Sequence, residues 1–544
     1  MPHAMEVPNT SVYQNLANGA AKHPEASAIY YYGTRISYAR MKSEADALAG
    51  YLQQRCGVRK GDRVLLYLQN SPQFVIGYFA VLRADAVVVP VNPMNLTEEL
   101  RHYIDDADAA VAIVGQDRLA QIAPLIGKEK LKHIVVATYS DYLEMPNPFP
   151  LPEFLRAPRE RPAIENVVAW ADALAAGCTP GEHRAGPDDL AVMPYTSGTT
   201  GKPKGCMHTH HNVQSTAFVY MLWRGASDGG TRTLSALPMF HVTGMQAGMN
   251  GPIYKGSTIV VMSRWDRDCA GLLIERAGVT NWSAITTMLV DFMSNPKLGQ
   301  YDLSSLKVLG GGGAAMPEAV ARKLEDVIGL PYVEGYGLSE TMAPTHINPP
   351  HRPKRQCAGI PIFNTDARVV DIENFSELPP NQVGEIIVHG PQVFQGYWKQ
   401  PEATAQTFVE HDGKRFFRTG DLGYYDEDGY FFITDRLKRM INCSGFKVWP
   451  AEVEAMLYAH PDIQEACVIG TLDGYRGETV KAVIVLKNGS KQKITPAEIT
   501  DWARERMAAF KVPRVVQFVD ELPKTATGKI LWRKLQEDEN RKAS

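Results

Sequence analysis

The chain has 544 residues, of which 44% are hydrophobic and 22% are charged, as in ordinary folded globular proteins. This composition excludes a disordered chain, a collagen and a coiled coil, and the length predicts at least two domains because one core rarely grows beyond about 250–300 residues. The net charge of −3 provides no basic face for nucleic acid or for an anionic membrane.

Seven cysteines without a C-x-x-C pair indicate a reduced protein and not a disulfide framework. The first residues lack the basic segment and apolar stretch of a secretory signal. The longest apolar runs, such as residues 74–82, are about half as long as a membrane-spanning helix. We therefore expect a soluble, cytoplasmic protein without a transmembrane segment.

Strand and helix patterns alternate in the first quarter of the chain and again near residue 260. Continuous apolar runs predict strands at residues 63–68, 86–91, 110–114, 258–262 and 306–309. Helices are predicted from Ser71, which precedes a proline, from Thr97, and over residues 268–277. Strands that are apolar along their whole length indicate parallel sheets covered on both faces.

From about Gln356 to Ile433 the chain changes to short aromatic segments broken by glycine, aspartate and proline, which is typical of hairpins. Beyond Arg436 mixed helix and strand patterns return. We therefore predict an α/β fold. A large N-terminal domain, residues 1–435, contains two parallel-sheet α/β subdomains and a β-rich subdomain, and a small α+β domain follows in residues 436–544.

Three features are predicted within the C-terminal domain. Thr495 and Glu498 form a capping box, and the apolar spacing after them predicts a helix to Phe510. Residues 515–519 are predicted to be a strand. The last twenty residues are polar, so we expect them to be frayed.

The most unusual window is residues 195–205, Tyr-Thr-Ser-Gly-Thr-Thr-Gly-Lys-Pro-Lys-Gly. Glycines let backbone N–H groups approach a polyphosphate, hydroxyls donate hydrogen bonds to it, and lysine neutralises its charge. Pro203 directly after Lys202, together with the glycine spacing, excludes the usual P-loop. On composition alone, a flexible surface loop remains the alternative.

Two further windows follow predicted strands. Residues 310–315 are four glycines and two alanines, which fit either a flat ligand against the backbone or a tight turn. The window from Tyr336 to Thr341 combines an aromatic ring, a hydroxyl and the carboxylate of Glu340, a ligand type that suits Mg²⁺. A helix start capped by Ser339 is the alternative.

Three other groups have ordinary as well as functional explanations. Asp421, in Arg-Thr-Gly-Asp, can accept hydrogen bonds from ribose hydroxyls or can belong to a turn. Lys529 lies in a Gly/Thr loop, where a lysine is usually solvated. His208, His210 and His211 lack a carboxylate at metal-ligand spacing, so we interpret them as residues at the start of a helix.

Taken together and in order, these windows resemble the adenylate-forming superfamily, which contains acyl-CoA synthetases, firefly luciferase and the adenylation domains of peptide synthetases. The resemblance covers nearly the whole chain and is carried by YTSGTTGKPKG at 195–205, PMFH at 238–241, GYGLSE at 335–340, RTGD at 418–421, the segment 435–454 and PKTATGK at 523–529. GYGLSE and PMFH look most like the fatty-acyl-CoA synthetases.

The resemblance implies a two-step reaction that uses ATP, Mg²⁺ and CoA. The carboxylate of an acid attacks the α-phosphate of ATP, which yields an acyl-adenylate and pyrophosphate. The thiol of CoA then attacks the mixed anhydride, which yields acyl-CoA and AMP. In such displacements the protein positions the reactants and stabilises charge.

The same resemblance assigns roles residue by residue. It implies that the phosphates are bound by Thr196, Ser197, Gly198, Thr199, Thr200 and Lys204. It implies that the adenine and acyl region is lined by Gly312, Gly313 and Ala314, that Tyr336 stacks on adenine, and that Gly337 also belongs to the nucleotide site. Ser339 and Glu340 match the pair that binds phosphate and Mg²⁺, Asp421 and Arg436 would hold the ribose, and His241 would lie near the carboxylate of the acid.

The C-terminal domain would serve both half-reactions. Lys529 would bridge the substrate carboxylate and the α-phosphate during adenylation. The domain would then rotate about Asp435, remove Lys529 and present the loop of Ser444 and Gly445 to CoA, with Lys438 assisting. The resemblance is also compatible with a homodimer.

The identity of the acid depends on residues after His241. They read Val-Thr-Gly-Met, where several fatty-acyl-CoA synthetases place an aromatic gate, so we expect a different acyl tunnel. Six methionines fit either an acyl lining or the core: Met221, Met239, Met245, Met249, Met288 and Met293.

The leading prediction is a CoA ligase for a medium- or long-chain fatty acid. The alternatives are an aryl or short-chain acid CoA ligase, an acyl-AMP ligase that loads a carrier protein, and a nucleotide-binding protein without catalysis. The last alternative is disfavoured because the chain retains Lys204, Glu340, Asp421, Arg436 and Lys529.

Overall fold

The computed structural model describes residues 3–197, 202–223, 230–313, 316–443, 446–473, 477–487, 494–525 and 530–543. In chain order its strands are β1 (Ser27–Tyr31), β2 (Thr34–Ser37), β3 (Arg63–Tyr67), β4 (Val87–Pro90), β5 (Val111–Gly115), β6 (His133–Ala137), β7 (Val167–Ala169), β8 (Leu190–Val192), β9 (Tyr195–Ser197), β10 (Pro203–Thr209), β11 (Arg232–Ser235), β12 (Thr258–Val261), β13 (Asn281–Ser283), β14 (Val308–Gly312), β15 (Tyr332–Tyr336), β16 (His346–Ile347), β17 (Ile360–Pro361), β18 (Asp366–Val370), β19 (Gly384–His389), β20 (Gly396–Tyr397), β21 (Phe408–His411), β22 (Lys414–Tyr425), β23 (Phe431–Arg436), β24 (Ile441–Cys443), β25 (Phe446–Val448), β26 (Ile463–Asp473), β27 (Gly477–Leu486) and β28 (Val515–Phe518).

The α-helices in chain order are α1 (Tyr13–Lys22), α2 (Tyr38–Gln54), α3 (Pro72–Arg83), α4 (Thr97–Ala107), α5 (Leu119–Ile122), α6 (Glu153–Arg156), α7 (Trp170–Leu174), α8 (His210–Trp223), α9 (Val242–Met245), α10 (Gly251–Tyr254), α11 (Arg267–Ala277), α12 (Thr286–Met293), α13 (Glu318–Ile328), α14 (Pro401–Ala405), α15 (Pro450–Leu457), α16 (Pro496–Arg504) and α17 (Trp532–Ala543). Short 3₁₀ turns lie at Gln116–Arg118, Ala123–Leu125, Tyr139–Tyr142, Leu298–Gln300, Ser339–Thr341 and Leu437–Arg439. A π-helical turn, Gln246–Asn250, lies between α9 and α10.

The chain forms two compact units. The first contains Met1–Asp366 and Val388–Phe417, and the second contains Ala367–Ile387 and Arg418–Ser544. The predicted boundary at residues 435 and 436 lies inside the second unit, and the division at that point stays a prediction.

Within the described residues, the first unit is built on two nine-stranded sheets whose central strands are parallel. One has the order β17-β16-β15-β14-β13-β11-β12-β1-β2, and the other has the order β20-β10-β8-β4-β3-β5-β6-β7, with β9 paired to β10. Antiparallel pairs lie toward the edges, such as β1 with β2 and β8 with β10. The predicted α/β fold with two parallel sheets is confirmed.

The burial of the central strands explains their sequence pattern. From Val64 to Tyr67 every residue of β3 is buried, as is every residue of β4 and β5. Helices cover both faces of such a sheet, so its strands are apolar throughout. The helix expected from Ser71 is α3, and the Ser71 hydroxyl accepts a hydrogen bond from the backbone N–H of Phe74 at 3.1 Å.

The segment predicted to form hairpins, from about Gln356 to Ile433, contains antiparallel strands, most of them short, although β22 has twelve residues. In the first unit β21 pairs with the start of β22, with Phe408 opposite Phe417. In the second unit the end of β22 pairs with β23, with Asp421 opposite Arg436. Gly429, in the turn between them, has a φ of +80°, a conformation that favours glycine.

The second unit also contains the sheet β25-β24-β27-β26, with β28 paired to β27. The capping box of α16 is present, since the Thr495 hydroxyl accepts from the N–H of Glu498 and the Glu498 carboxylate accepts from the N–H of Thr495. The predicted extension of this helix to Phe510 is wrong. The helix ends at Arg504, and Met507 and Phe510 reach the apolar core from the turns that follow.

The expectation of frayed final residues is also wrong, because α17 spans Trp532–Ala543. Trp532 and Leu535 pack against an apolar cluster of β26 and β27. Lys481, on β27, forms a mostly buried ion pair with Glu539 at 2.5 Å. These contacts hold a helix whose own sequence is polar.

All seven cysteines lie in described residues, where none forms a disulfide, and each is buried or half-buried. Burial raises the pKa of the Cys56 and Cys467 thiols to about 12, which keeps them protonated. Among the described helices none combines the length and the apolar character that crossing a bilayer requires.

Candidate active site

The predicted site residues of the first unit lie where parallel strands end. His241 follows β11, Gly312 ends β14, and Tyr336 ends β15. The strands β11, β13, β14 and β15 are parallel neighbours, so their carboxyl ends lie along one edge of the sheet. In open α/β sheets, ligands usually bind in a crevice at this edge.

The motif at residues 195–205 contributes two antiparallel strands from the other sheet. Thr196 on β9 lies opposite Lys204 on β10, and Ser197 lies opposite Pro203. The predicted phosphate ligands Gly198, Thr199 and Thr200 lie outside the described residues, as does Ala314.

Lys204, Tyr397 and Glu340 form a connected group. The Lys204 side chain is buried, with 8% of the residue exposed, and its Nζ lies 5.2 Å from the centre of the Tyr397 ring. The Tyr397 hydroxyl donates a hydrogen bond to Oε1 of Glu340 at 2.8 Å. Burial, and then the charge of Glu340, raise the pKa of Tyr397, so the hydroxyl stays a donor. The predicted phosphate lysine is thus linked to the predicted metal-binding carboxylate.

The backbone of Ser339 and Glu340 is held by two hydrogen bonds. Nε2 of His208 lies 2.7 Å from the carbonyl oxygen of Ser339, and the N–H of Phe394 donates to the carbonyl of Glu340 at 2.9 Å. Burial lowers the pKa of His208 to about 4, so the imidazole is neutral and must donate through Nε2. His208 therefore fixes the loop that carries Glu340, a role its sequence position did not indicate.

The loop directly after Glu340 contains backbone strain. Met342 and Ala343 are buried and have φ angles of +49° and +48°, in the left-handed region that residues other than glycine rarely adopt. The Thr341 hydroxyl accepts from the N–H of Leu338 at 3.0 Å and helps to hold this turn. Strain of this kind accumulates at functional sites, where the surrounding structure enforces it.

The glycines of β14 are required by neighbouring backbone atoms. A Cβ on Gly311 would overlap the carbonyl oxygen of Ala284, and one on Gly312 would overlap that of Gly335. Gly313 has a φ of +98°. The sequence suggested a flat ligand or a tight turn, whereas the atoms that crowd Gly311 and Gly312 belong to neighbouring backbone of the protein itself. The predicted roles of Gly312 and Gly313 in lining a ligand stay predictions.

The end of β15 brings an aromatic ring and a buried carboxyl group together with these glycines. The rings of Tyr336 and His346 are 5.7 Å apart, and a Cβ on Gly337 would approach Pro344 within 2.8 Å. Glu334 accepts hydrogen bonds from the N–H groups of Met316 and Cys357 at 3.1 and 3.0 Å. Glu334 was not predicted from the sequence, although a charged residue in an otherwise apolar strand was a visible signal.

His241 precedes a helix with an irregular turn. Its Nδ1 accepts a long hydrogen bond, 3.5 Å, from the N–H of Thr243 at the start of α9. In the π-helical turn that follows, Gln246 donates to the Thr216 hydroxyl at 2.8 Å, and Asn250 donates to the Tyr78 hydroxyl at 3.0 Å. These two buried amides were also missed.

The six methionines are all buried or half-buried against apolar neighbours. Met221, Met239, Met245 and Met249 are buried, and Met288 and Met293 are half-buried against the main core of the first unit. This position fits the core interpretation and leaves the acyl lining untested.

The predicted ribose ligands of the second unit are paired with each other. Nε of Arg436 lies 2.7 Å from Oδ1 of Asp421, whose side chain is 3% exposed, whereas the Arg436 side chain is 51% exposed. The neighbouring Arg418 binds the buried carboxylate of Glu385 at 2.7 Å, and the N–H of Gly420 donates to the same carboxylate at 3.2 Å. Residues 418–421 lie within β22, so the alternative explanation of Arg-Thr-Gly-Asp as a turn is wrong. Glu385 holds this part of the strand, and it was not predicted from the sequence.

The predicted hinge residue Asp435 caps a helix. Its Oδ2 accepts from the N–H of Ala451, in the first turn of α15, at 2.6 Å. Burial raises the pKa of this carboxyl, and the nearby Arg439 opposes that shift. Lys438 is exposed on the 3₁₀ turn between Asp435 and α15. The predicted Ser444, Gly445 and Lys529 lie outside the described residues.

The histidine cluster divides into two positions. His208 lies on β10, whereas His210 and His211 begin α8, so the helix-start interpretation is wrong for His208. Nδ1 of His210 accepts from the N–H of Val12 at 3.0 Å, and burial lowers its pKa to about 3. His208 and His210 are therefore neutral residues that bond to the backbone.

Known proteins match the chain through both units. The family AMP-binding enzyme matches residues 16–398, and the AMP-binding enzyme C-terminal domain matches residues 452–529. A long-chain-fatty-acid–CoA ligase of Bacillus subtilis is 38% identical over 99% of this chain and 96% of the relative. A feruloyl-CoA synthase of an Amycolatopsis species is 35% identical over 94% of this chain and 96% of the relative. The crystal structure of ATP-bound MatB from Rhodopseudomonas palustris has a TM-score of 0.85 and 29% identity, over 98% of this chain and 99% of that chain.

Proposed function

The chain belongs to the AMP-binding enzyme family as an AMP-forming acyl-CoA synthetase, and we propose that it activates a medium- or long-chain fatty acid. Its substrates are ATP, CoA and a carboxylic acid. The observation that carries the proposal is the 38% identity, over almost the entire chain, to a long-chain-fatty-acid–CoA ligase. The acid would be joined to AMP first and then transferred to CoA, with release of pyrophosphate and AMP.

Lys204 is suited to bind the triphosphate. Among the described residues, its Nζ contacts the ring of Tyr397, 5.2 Å from the ring centre, and not a carboxylate. A buried ammonium without an anion is costly, and a phosphate would supply that anion. This burial supports the proposed role of the paired strands β9 and β10, with Thr196 opposite Lys204, in holding phosphate oxygens.

A Mg²⁺ ion fits the chemistry of the Glu340 loop. Glu340 is a buried carboxylate, and an adjacent hydroxyl comes from Ser339, so both offer the hard oxygen ligands that Mg²⁺ prefers. These two residues would hold the ion. When bound, it would neutralise phosphate charge and orient the phosphate oxygens.

We assign the remaining predicted residues to the two half-reactions. Tyr336 would stack on adenine, and the pair of Asp421 and Arg436 would hold the ribose. His241 would lie near the substrate carboxylate. Lys529 would act in adenylation and Lys438 in transfer to CoA, after rotation of a mobile C-terminal domain about Asp435.

A panel of acids tests the proposed substrate. With CoA present, we expect the kcat/KM for AMP release to rise by about threefold to fourfold for each methylene added beyond C8, because each buried CH₂ contributes about 0.8 kcal/mol. The rise should stop when the acyl pocket is filled. Ferulate, benzoate and acetate should be at least about 100-fold poorer substrates, since they lack most of this area. A preference for ferulate would instead support an aryl-acid ligase, the alternative that the feruloyl-CoA synthase relative favours.

The same assay without CoA tests the acceptor. An acyl-CoA synthetase should turn over continuously only when CoA is present. Acyl-AMP that accumulates and is unaffected by CoA would point to an acyl-AMP ligase for a carrier protein. We also propose that the protein is cytoplasmic and forms a homodimer. Light scattering of the purified protein tests the dimer.

A further inference from the structure

Tyr397 contacts both charged groups that the proposed function assigns to ATP and Mg²⁺. The face of its ring lies against the Lys204 ammonium, and its hydroxyl donates to the Glu340 carboxylate. Direct contact between ammonium and carboxylate would neutralise both groups before substrate arrives. An interposed tyrosine keeps them connected while leaving the ammonium able to bind phosphate.

The Tyr397 ring is held in place by its own strand. Tyr397 lies opposite Cys206 in the antiparallel pair of β20 and β10, and its N–H donates to the Thr404 hydroxyl at 2.9 Å. The ring of Phe394 packs edge-on against it, with centroids 4.9 Å apart. Because β20 is paired with β10, which carries Lys204, the fixed ring connects that lysine to the loop of Glu340.

We infer that Tyr397 is a positioning residue that couples Lys204 to Glu340, so that ATP and Mg²⁺ strengthen each other's binding. The inference rests on the proposed roles of Lys204 and Glu340. The hydroxyl orients the carboxylate that would hold the ion, and the ring orients the ammonium that would hold the phosphate. Outer-sphere partners of this kind typically change metal affinity by about 10–100-fold, and a coupling between two ligands is reciprocal.

Two substitutions separate the two contacts. Tyr397→Phe keeps the ring beside Lys204 and removes the hydrogen bond to Glu340. In titration calorimetry with ATP alone, we expect the ratio of the ATP Kd in EDTA to that in saturating Mg²⁺ to fall by about tenfold, with an unchanged Kd in EDTA. Tyr397→Leu should in addition weaken ATP binding in EDTA, because Lys204 loses the aromatic face that positions it.

Tyr13 provides a matched control in the same unit. Its hydroxyl donates to Oδ1 of Asp46 at 2.6 Å, and the Arg83 guanidinium lies 5.5 Å from its ring centre. It therefore makes the same two kinds of contact, to an acidic and a basic side chain that also pair with each other at 3.4 Å, and none of these three residues is assigned to ATP. Tyr13→Phe and Tyr13→Leu should leave the Mg²⁺ ratio at the wild-type value, whatever they do to stability.

A double-mutant cycle distinguishes positioning from a general structural role. In a Glu340→Gln background, Tyr397→Phe should have no further effect on the Mg²⁺ ratio, because the carboxylate that the hydroxyl orients is already gone. Additive effects would overturn the inference. The inference would also be overturned if Tyr397→Phe had the wild-type Mg²⁺ ratio, or if it lost the same ATP affinity with and without Mg²⁺. It would likewise be overturned if Mg²⁺ had no effect on the ATP affinity of the wild-type protein.

The binding experiment contains neither acid nor CoA, so its result is separate from that of the acid panel. If ATP and Mg²⁺ strengthened each other's binding as expected but the protein activated no acid, only the proposed function would be overturned. Fatty-acid activation with no effect of Tyr397→Phe on the Mg²⁺ ratio would overturn this inference alone.

Discussion

Glu334 carries a carboxyl group inside β15, two residues before Tyr336. It is 6% exposed, and its two oxygens accept hydrogen bonds from the N–H groups of Met316 and Cys357. Burial raises the pKa of Glu334 to about 7, although the N–H donors act in the opposite direction. The residue therefore ties two loops to the strand that ends at the candidate site, and its charge depends on pH near neutrality.

The raised pKa of Glu334 predicts a pH-dependent stability. Because the folded state holds the proton more tightly than the unfolded state, this stabilisation is complete below pH 4.5 and is lost as the pH rises through about 7. Glu334→Gln carries no charge and also loses one backbone acceptor. We expect the Tm difference between the wild type and Glu334→Gln to be largest at pH 5 and to shrink toward pH 8.5.

Glu318 serves as the control for this measurement. Its exposed carboxylate pairs with Arg322, and that contact holds its pKa below the usual value, so its protonation changes only in more acidic solution. Glu318→Gln should therefore give a constant Tm offset from pH 5 to 8.5. Parallel curves for Glu334→Gln and the wild type would show that Glu334 does not titrate in this range.

At the scale of single elements, β14 depends on glycine because adjacent strands crowd its backbone. A methyl group on Gly311 would overlap the Ala284 carbonyl oxygen, which also accepts a hydrogen bond from the Tyr332 hydroxyl at 2.8 Å. Backbone atoms cannot move aside as a side chain can. We expect Gly311→Ala to destabilise the first unit by about 2 kcal/mol or more, measured as a lower midpoint of thermal unfolding.

Gly299 provides the comparison for Gly311→Ala. It lies in an exposed 3₁₀ turn, and a Cβ there would have no atom within 4 Å. Gly299→Ala should change the midpoint by less than the experimental difference between preparations, or raise it slightly, because alanine restricts the unfolded chain. If both substitutions had the same small effect, the crowding at β14 would be relieved by strand movement.

At the scale of the whole molecule, the features that could be predicted were those determined by local sequence. The parallel strands were visible because burial on two faces makes them apolar throughout, and α3 because Ser71 caps it. The roles of Tyr397 and Glu539 were not visible, because their partners are 57 and 58 residues away in sequence. Motif order identified the candidate site, whereas its supporting contacts required the structure.

The two-step reaction predicts that one lysine serves only the first step. Lys529, which lies outside the described residues, would neutralise charge between the carboxylate and the α-phosphate. We expect Lys529→Ala to lower acid-dependent pyrophosphate exchange into ATP by about 100-fold or more and to leave the reaction of supplied acyl-adenylate with CoA near the wild-type rate. Lys524→Ala is the control from the same segment, since the Lys524 ammonium forms a partly exposed ion pair with Glu465, and such a pair contributes little. Equal loss in both half-reactions would contradict a role of Lys529 in adenylation alone. It would indicate that Lys529 stabilises the fold.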